Sequence, residues 1–138
     1  MRTFEEFLKQ GVVKERRKDE ARFRDLIEGA EKRKSIMEKY LPLNEETAVK
    51  ITEECYDIIR EVLEAKFAKE GYKTYSHEAV VSYLTNLGFS KDEVMFLDRL
   101  REIRNGTRYY GKRVNLEYAK KVKEFLSSIY PKLKKVVC

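Results

Sequence analysis

Between Leu97 and Arg113 the chain reads Leu-Asp-Arg-Leu-Arg-Glu-Ile-Arg-Asn-Gly-Thr-Arg-Tyr-Tyr-Gly-Lys-Arg. Six cations in this stretch (Arg99, Arg101, Arg104, Arg108, Lys112 and Arg113) stand against two acids, Asp98 and Glu102. Guanidinium forks hold phosphate through paired N–H donors, and planar phenols add stacking and hydrogen bonds. Tyr109 and Tyr110 set among these cations therefore point to a phosphate-bearing ligand. On that reading Arg101, Arg104, Arg108, Tyr110, Lys112 and Arg113 form a phosphate- or nucleic-acid-binding set. The same residues also fit a solvated helix end followed by a tyrosine-bearing turn. Arg104 then pairs with Glu102 or Asp98 at the surface, and one tyrosine packs at the end of a helical bundle or at a dimer seam.

Helices are what must position these groups. A short helix is expected from Thr3 to Gln10, with Phe4, Phe7 and Leu8 on its apolar face. After Gly11 the spacing of Phe23, Leu26, Ile27, Ala30, Met37 and Tyr40 predicts one long helix from Val13 to Tyr40, ended by Leu41-Pro42. Asn44 followed by Glu45-Glu46 reads as the start of a second long helix, running to Glu70 with Ala48, Ile51, Cys55, Ile58, Val62 and Ala65 inward. Gly71 supplies its end. Tyr72 to Tyr75 reads as a loop, Ser76 as the cap of a short helix closed by Gly88, and Ser90 with Glu93 as a capping box. The stripe Val94, Leu97, Leu100, Ile103 follows, and Asn105-Gly106 predicts a helix end or kink. Asn115 caps a last helix with Leu116, Ala119, Val122, Leu126, Ile129 and Leu133 inward, which Pro131 should bend or end early. No stretch alternates with period two. The expectation is an all-α, antiparallel up-and-down bundle of four or five helices, with residues 1–138 as a single domain.

Charge is distributed unevenly along this bundle. Residues 99–138 carry twelve Lys and Arg against three acids, a balance of +9, whereas residues 1–98 carry eighteen against twenty-one, a balance of −3. A field of one sign over one region draws polyanions, nucleic acid foremost, although a solvated lysine face on the last helix produces the same count. Cys55 falls on an apolar stripe and Cys138 at the terminus, so neither a disulfide framework nor a metal spacing is present. No cofactor and no metal are expected. No apolar run reaches the length of a membrane span, and the start of the chain does not resemble a signal peptide, so a cytoplasmic protein is expected. Charged residues make up 39% of the chain, with no Trp, a composition like that of thermophile proteins.

These residues resemble the HEPN domain family across most of the chain. The likeness rests on the long first helix and on the apolar second helix ending Glu64-Ala65-Lys66-Phe67 before a glycine. It continues through Tyr75-Ser76-His77-Glu78 opening a third helix, and Leu100-Arg101-Glu102-Ile103-Arg104-Asn105 with an aromatic shortly after. The resemblance implies an antiparallel helical bundle that forms a homodimer. It also implies a metal-independent ribonuclease site in which an Arg and a His from each subunit meet at the dimer groove. Many members are toxins paired with a minimal nucleotidyltransferase. The family's Arg and its polar neighbour carry over to Arg104 and Asn105, but Tyr109 stands where the family has His. The only histidine, His77, follows a serine cap and matches a different, structural family position.

The exchange of His for Tyr can be weighed. Imidazole titrates near ~6.5 and phenol near ~10, so a phenol is the poorer base by about 3.5 units, on the order of 5 kcal/mol. Positioned acid–base catalysis contributes roughly 10²- to 10⁴-fold. Efficient ribonuclease activity is therefore not expected. The expected protein binds RNA or a nucleotide, with Arg104 clamping phosphate, Asn105 orienting it and Tyr109 hydrogen-bonding it or becoming modified. It would be the toxin-like half of a pair with a nucleotidyltransferase. The alternatives are a weak metal-independent endoribonuclease using Arg104, Asn105 and Tyr109 as catalytic residues, and a non-catalytic dimeric interaction module.

Overall fold

Two amphipathic stretches on either side of Leu41-Pro42-Leu43 fold back on one another as α2 (Glu20–Tyr40) and α3 (Ala48–Glu70), the most extensively packed pair of elements in the molecule. The computed structural model describes all 138 residues and is 74% helical, which places the fold in the all-α class. Asp19 caps α2 by accepting the Arg22 N–H at 2.9 Å, and Leu41 leaves the helix in an extended conformation, as a residue before proline must. The stripe of α2 buries Ile27, Ala30 and Met37 against α3, while Tyr40 at its end stays 68% exposed rather than turning inward.

The third helix is the centre of the fold. It touches α2, α5 and α6 as well as the shorter α4, so apolar residues are buried nearly all round it, including Ile51, Cys55, Ile58, Ile59, Val62 and Leu63. The remaining helices are α1 (Phe4–Lys9), α4 (His77–Asn86), α5 (Lys91–Tyr110) and α6 (Leu116–Val137). One hydrophobic cluster draws side chains from every helix of the chain. No helix is long and apolar enough to cross a membrane.

The structure departs from the sequence expectations at four further places in this frame. The helix expected from Val13 begins at Glu20 instead, because Val13–Glu15 forms a strand, β1, antiparallel to β2 (Tyr72–Thr74). The segment read as a loop is thus a strand as well. Val13 buries its side chain while Gly71, in the left-handed conformation at φ 84°, turns the chain out of α3 and back alongside β1. Three paired residues are too few to leave an alternating pattern in a sequence.

Asn44 does not cap α3. Its carboxamide oxygen accepts the Thr47 N–H at 3.0 Å while the Thr47 hydroxyl accepts the Asn44 N–H at 3.0 Å, a reciprocal pair that makes a turn and delays the helix to Ala48. Lastly, Pro131 neither ends nor shortens α6. Pro131 and Ser127, whose carbonyl loses its helical donor, are both exposed, so water can take the freed acceptor.

Candidate phosphate-binding site

α5 starts from a complete capping box: Ser90 Oγ accepts the Glu93 N–H at 3.2 Å and Glu93 Oε1 accepts the Ser90 N–H at 2.9 Å. It then runs unbroken through Asn105-Gly106 to Tyr110, with no end or kink at the glycine. Gly106 serves packing instead. The chain reverses at Gly111, φ 64°, where the N–H groups of Gly111 and Lys112 both close on the Gly106 carbonyl. The stem of Lys112 lies over Gly106, so that a Cβ added there would sit 3.2 Å from the Lys112 Cδ.

Continuity of the helix decides where the expected site residues go. Arg104 points inward and is only 4% exposed. Its Nη2 donates to Asp57 Oδ1 at 3.2 Å, and its guanidinium carbon lies 5.8 Å from the centre of the Tyr56 ring. Neither Glu102 nor Asp98 is its partner; both engage Arg101, at 3.9 and 3.0 Å. Asp57, itself 5% exposed, also faces Arg33 at 3.5 Å and Arg60 at 3.8 Å. Arg60 Nη1 lies 3.1 Å from His77 Nε2. An arginine can only donate, so this nitrogen accepts and the neutral ring carries its proton on Nδ1. One carboxylate on α3 thus gathers guanidinium groups from α2, α3 and α5, and through Arg60 reaches α4.

The electrostatics of this cluster follow from its burial. His77 is held below the usual imidazole range, first by burial and then by the cations Arg60 and Arg104, with Asp57 opposing them. Burial lifts the Tyr56 phenol well above its ordinary range, against the pull of Arg60, Arg101 and Arg104. Its hydroxyl, together with Nε and Nη1 of Arg104, is buried without a hydrogen-bond partner. Arg104 is therefore an interior cation tied to one acid, not a fork open to solvent.

Compared with protein-family models, curated proteins and solved structures, the chain gives no match.

The other expected residues lie at the open end of α5. Tyr109 and Tyr110 are 67% and 78% exposed, and Arg108, Lys112 and Arg113 beside them are exposed and free of ion pairs. Asn105 is half-buried. Five residues of α-helix turn through 500°, leaving Tyr109 about 140° around the axis from Arg104. The structure therefore leaves Arg108, Tyr109, Tyr110, Lys112 and Arg113 exposed along the last turn of α5 and the turn that follows it, and it separates Arg104 from Tyr109. The partners of Arg104 that sequence reasoning missed are Asp57 and Tyr56, with Arg60 and His77 joined to it through Asp57. Only Asp57 left a signal, an acid set inside the otherwise apolar run Cys55-Tyr56-Asp57-Ile58-Ile59.

Proposed function

We propose that the chain is a HEPN-like, homodimeric bundle that binds RNA or a nucleotide at the exposed end of α5, and that it works beside a minimal nucleotidyltransferase as the toxin-like half of a pair. The observation that carries the binding reading is two exposed phenol rings flanked by Arg108, Lys112 and Arg113, none of which has a carboxylate partner. Cations at a helix C-terminus offset the carbonyl end of its dipole, but that effect gives no reason to expose two tyrosines beside them. In this reading Arg108, Lys112 and Arg113 neutralise phosphate while Tyr109 and Tyr110 stack on bases or donate a hydrogen bond. Arg101 stands one turn away on the same stripe as Arg104. Arg104 acts from inside, fixing α5 against α3 so that its last turn is presented rigidly. The partnership and the dimer rest on the family resemblance.

The test is binding of labelled single-stranded RNA to the full chain over a range of salt. Replacing Lys112 and Arg113 together by Ala should lower the slope of log K against log salt by roughly 1.4, about 0.7 for each single-strand phosphate left without its cation. A slope and affinity that do not change would remove the site from the α5 end. Light scattering should return twice the 16.5 kDa chain mass; a monomer at all concentrations would reject the dimer. Co-purification with a nucleotidyltransferase encoded nearby would support the partnership, and its absence there would count against it.

A further inference from the structure

A cleft of about 600 Å³ opens where β2 and the segment before α2 meet the end of α3, on a part of the chain with a negative sequence balance. Four cations line it: Arg16, Arg17, Arg22 and Lys73. All four are exposed and none has a carboxylate within ion-pair distance. The acids on the same wall are occupied elsewhere, since Asp19 caps α2 and Glu64 faces Arg60 at 3.8 Å. Tyr75, at its rim, is 90% exposed, with the Lys73 ammonium 5.5 Å from its ring centre.

The backbone that carries these cations is fixed rather than trailing. Arg16 N–H donates to the Gly71 carbonyl at 2.8 Å and Asp19 N–H to the Ala68 carbonyl at 2.9 Å. The approach is so close that a Cβ on Gly71 would fall 2.6 Å from the Arg16 carbonyl oxygen. Unpaired like charges held together repel one another, and an exposed ring gains nothing from water; a bound polyanion with flat bases relieves both. The volume lies within the roughly 300–1,000 Å³ of ordinary ligand pockets, room for a nucleotide and not for a duplex.

We infer that this cleft is a second nucleic-acid contact, in which Arg16, Arg17, Arg22 and Lys73 hold the phosphates of a single strand and Tyr75 stacks on one of its bases. The inference rests on the nucleic-acid reading of the α5 end for its class of ligand, but it uses none of the same residues. His77 lines the cleft too, so its inner wall reaches the Arg60–Asp57–Arg104 cluster.

The experiment is fluorescence anisotropy of the full chain with a labelled single-stranded RNA of about twelve nucleotides, within the usual footprint of small single-strand binders. The variants are Tyr75→Ala, Tyr75→Phe, the pair Arg16→Ala/Arg17→Ala, and Tyr109→Ala for the other end. Tyr75→Ala should weaken binding roughly five- to tenfold, the low side of base–aromatic stacking, and Tyr75→Phe should restore it. The arginine pair should lower the salt slope by roughly 1.4. Full affinity in every cleft variant, with loss only in Tyr109→Ala, would overturn this inference and leave the α5 reading standing. Loss only in the cleft variants would do the reverse, and no binding by the wild type would overturn both. Displacement of the RNA by inorganic polyphosphate, with no effect of Tyr75→Ala, would replace the nucleic acid by a generic polyanion and so reject the inference. Because Tyr75 is almost wholly exposed, its truncation leaves the core intact.

Discussion

Replacing Asp57 by asparagine should destabilise the protein more than replacing Arg104, the partner it holds. Asp57 stands 3.2 Å from Arg104, 3.5 Å from Arg33 and 3.8 Å from Arg60. Asparagine keeps the shape and one acceptor but removes the only negative charge within ion-pair distance of a guanidinium that is 4% exposed. Stranding a buried charge costs about 3–5 kcal/mol, and the retained acceptor puts Asp57→Asn near the lower end, about 3 kcal/mol. Arg33 and Arg60 have other acids in reach, Glu61 at 3.2 Å and Glu64 at 3.8 Å, so they lose less. Arg104→Met, by contrast, leaves Asp57 with two cations, and its loss should be about 1 kcal/mol. Urea unfolding reads the difference: with a slope of about 2 kcal/mol per M, Asp57→Asn should lower the midpoint by about 1.5 M. Adding Arg104→Met to Asp57→Asn should recover part of that loss, since it removes the charge the first change stranded. A midpoint for Asp57→Asn at or above that of Arg104→Met, or a double variant weaker than the sum of the two, would refute the view of Arg104 as a buried cation dependent on Asp57.

Four further results are expected. Gly71→Ala should destabilise by about 2 kcal/mol or more, since φ 84° disfavours a side chain and the added Cβ would sit 2.6 Å from a carbonyl oxygen. Gly106→Ala should instead be neutral or stabilising by up to about 1 kcal/mol, because the 3.2 Å neighbour is a movable lysine methylene and alanine is the better helix former; urea midpoints separate the two. Folding holds His77 below its unfolded value near ~6.5, so its contribution is fully present above that pH and lost as pH falls toward the lowered folded value. Unfolding free energies measured across that range should flatten in His77→Gln relative to the wild type. Burial pushes the Cys55 thiol up to about 12, so iodoacetamide should label exposed Cys138 in the native protein and reach Cys55 only after unfolding, as mass spectrometry would show.

What could be read ahead of the structure divides along a physical line. Helices with a cap residue and a stripe were legible: Ser76, Ser90 with Glu93, and Asn115 all cap where their sequences place them. So was Gly71 as the end of α3, because only a residue free to take positive φ fits there. The strands were not legible, since β1 and β2 are specified by each other across the fold and carry no local period. Asn105-Gly106 misled for a related reason. A glycine inside a helix reads as a break until its neighbour is known, and that neighbour is a lysine stem returning from the next turn. The site was half legible. The cations and tyrosines around the α5 end could be picked out as a candidate set from the sequence, with the exposure of both rings left open, whereas the burial of Arg104 depends on Asp57, 47 residues away.

The two short strands have a kinetic consequence. Their pairing joins residues about sixty apart, Val13 to Thr74, so closing the ladder from an open chain carries an entropic penalty that the local turns of α2 and α3 do not. Once those two helices have paired as a hairpin, the ends to be joined already lie close together, and the ladder can shut as a late clasp over α1 and the end of α3. A late clasp is also a natural first region to open. Amide hydrogens of Val13–Glu15 and Tyr72–Thr74 should then exchange through partial opening, ahead of those in the middle of α3. Any ligand seated against Arg16 and Lys73 would meet its site only in the closed form, and would slow the exchange of these amides in proportion to its occupancy.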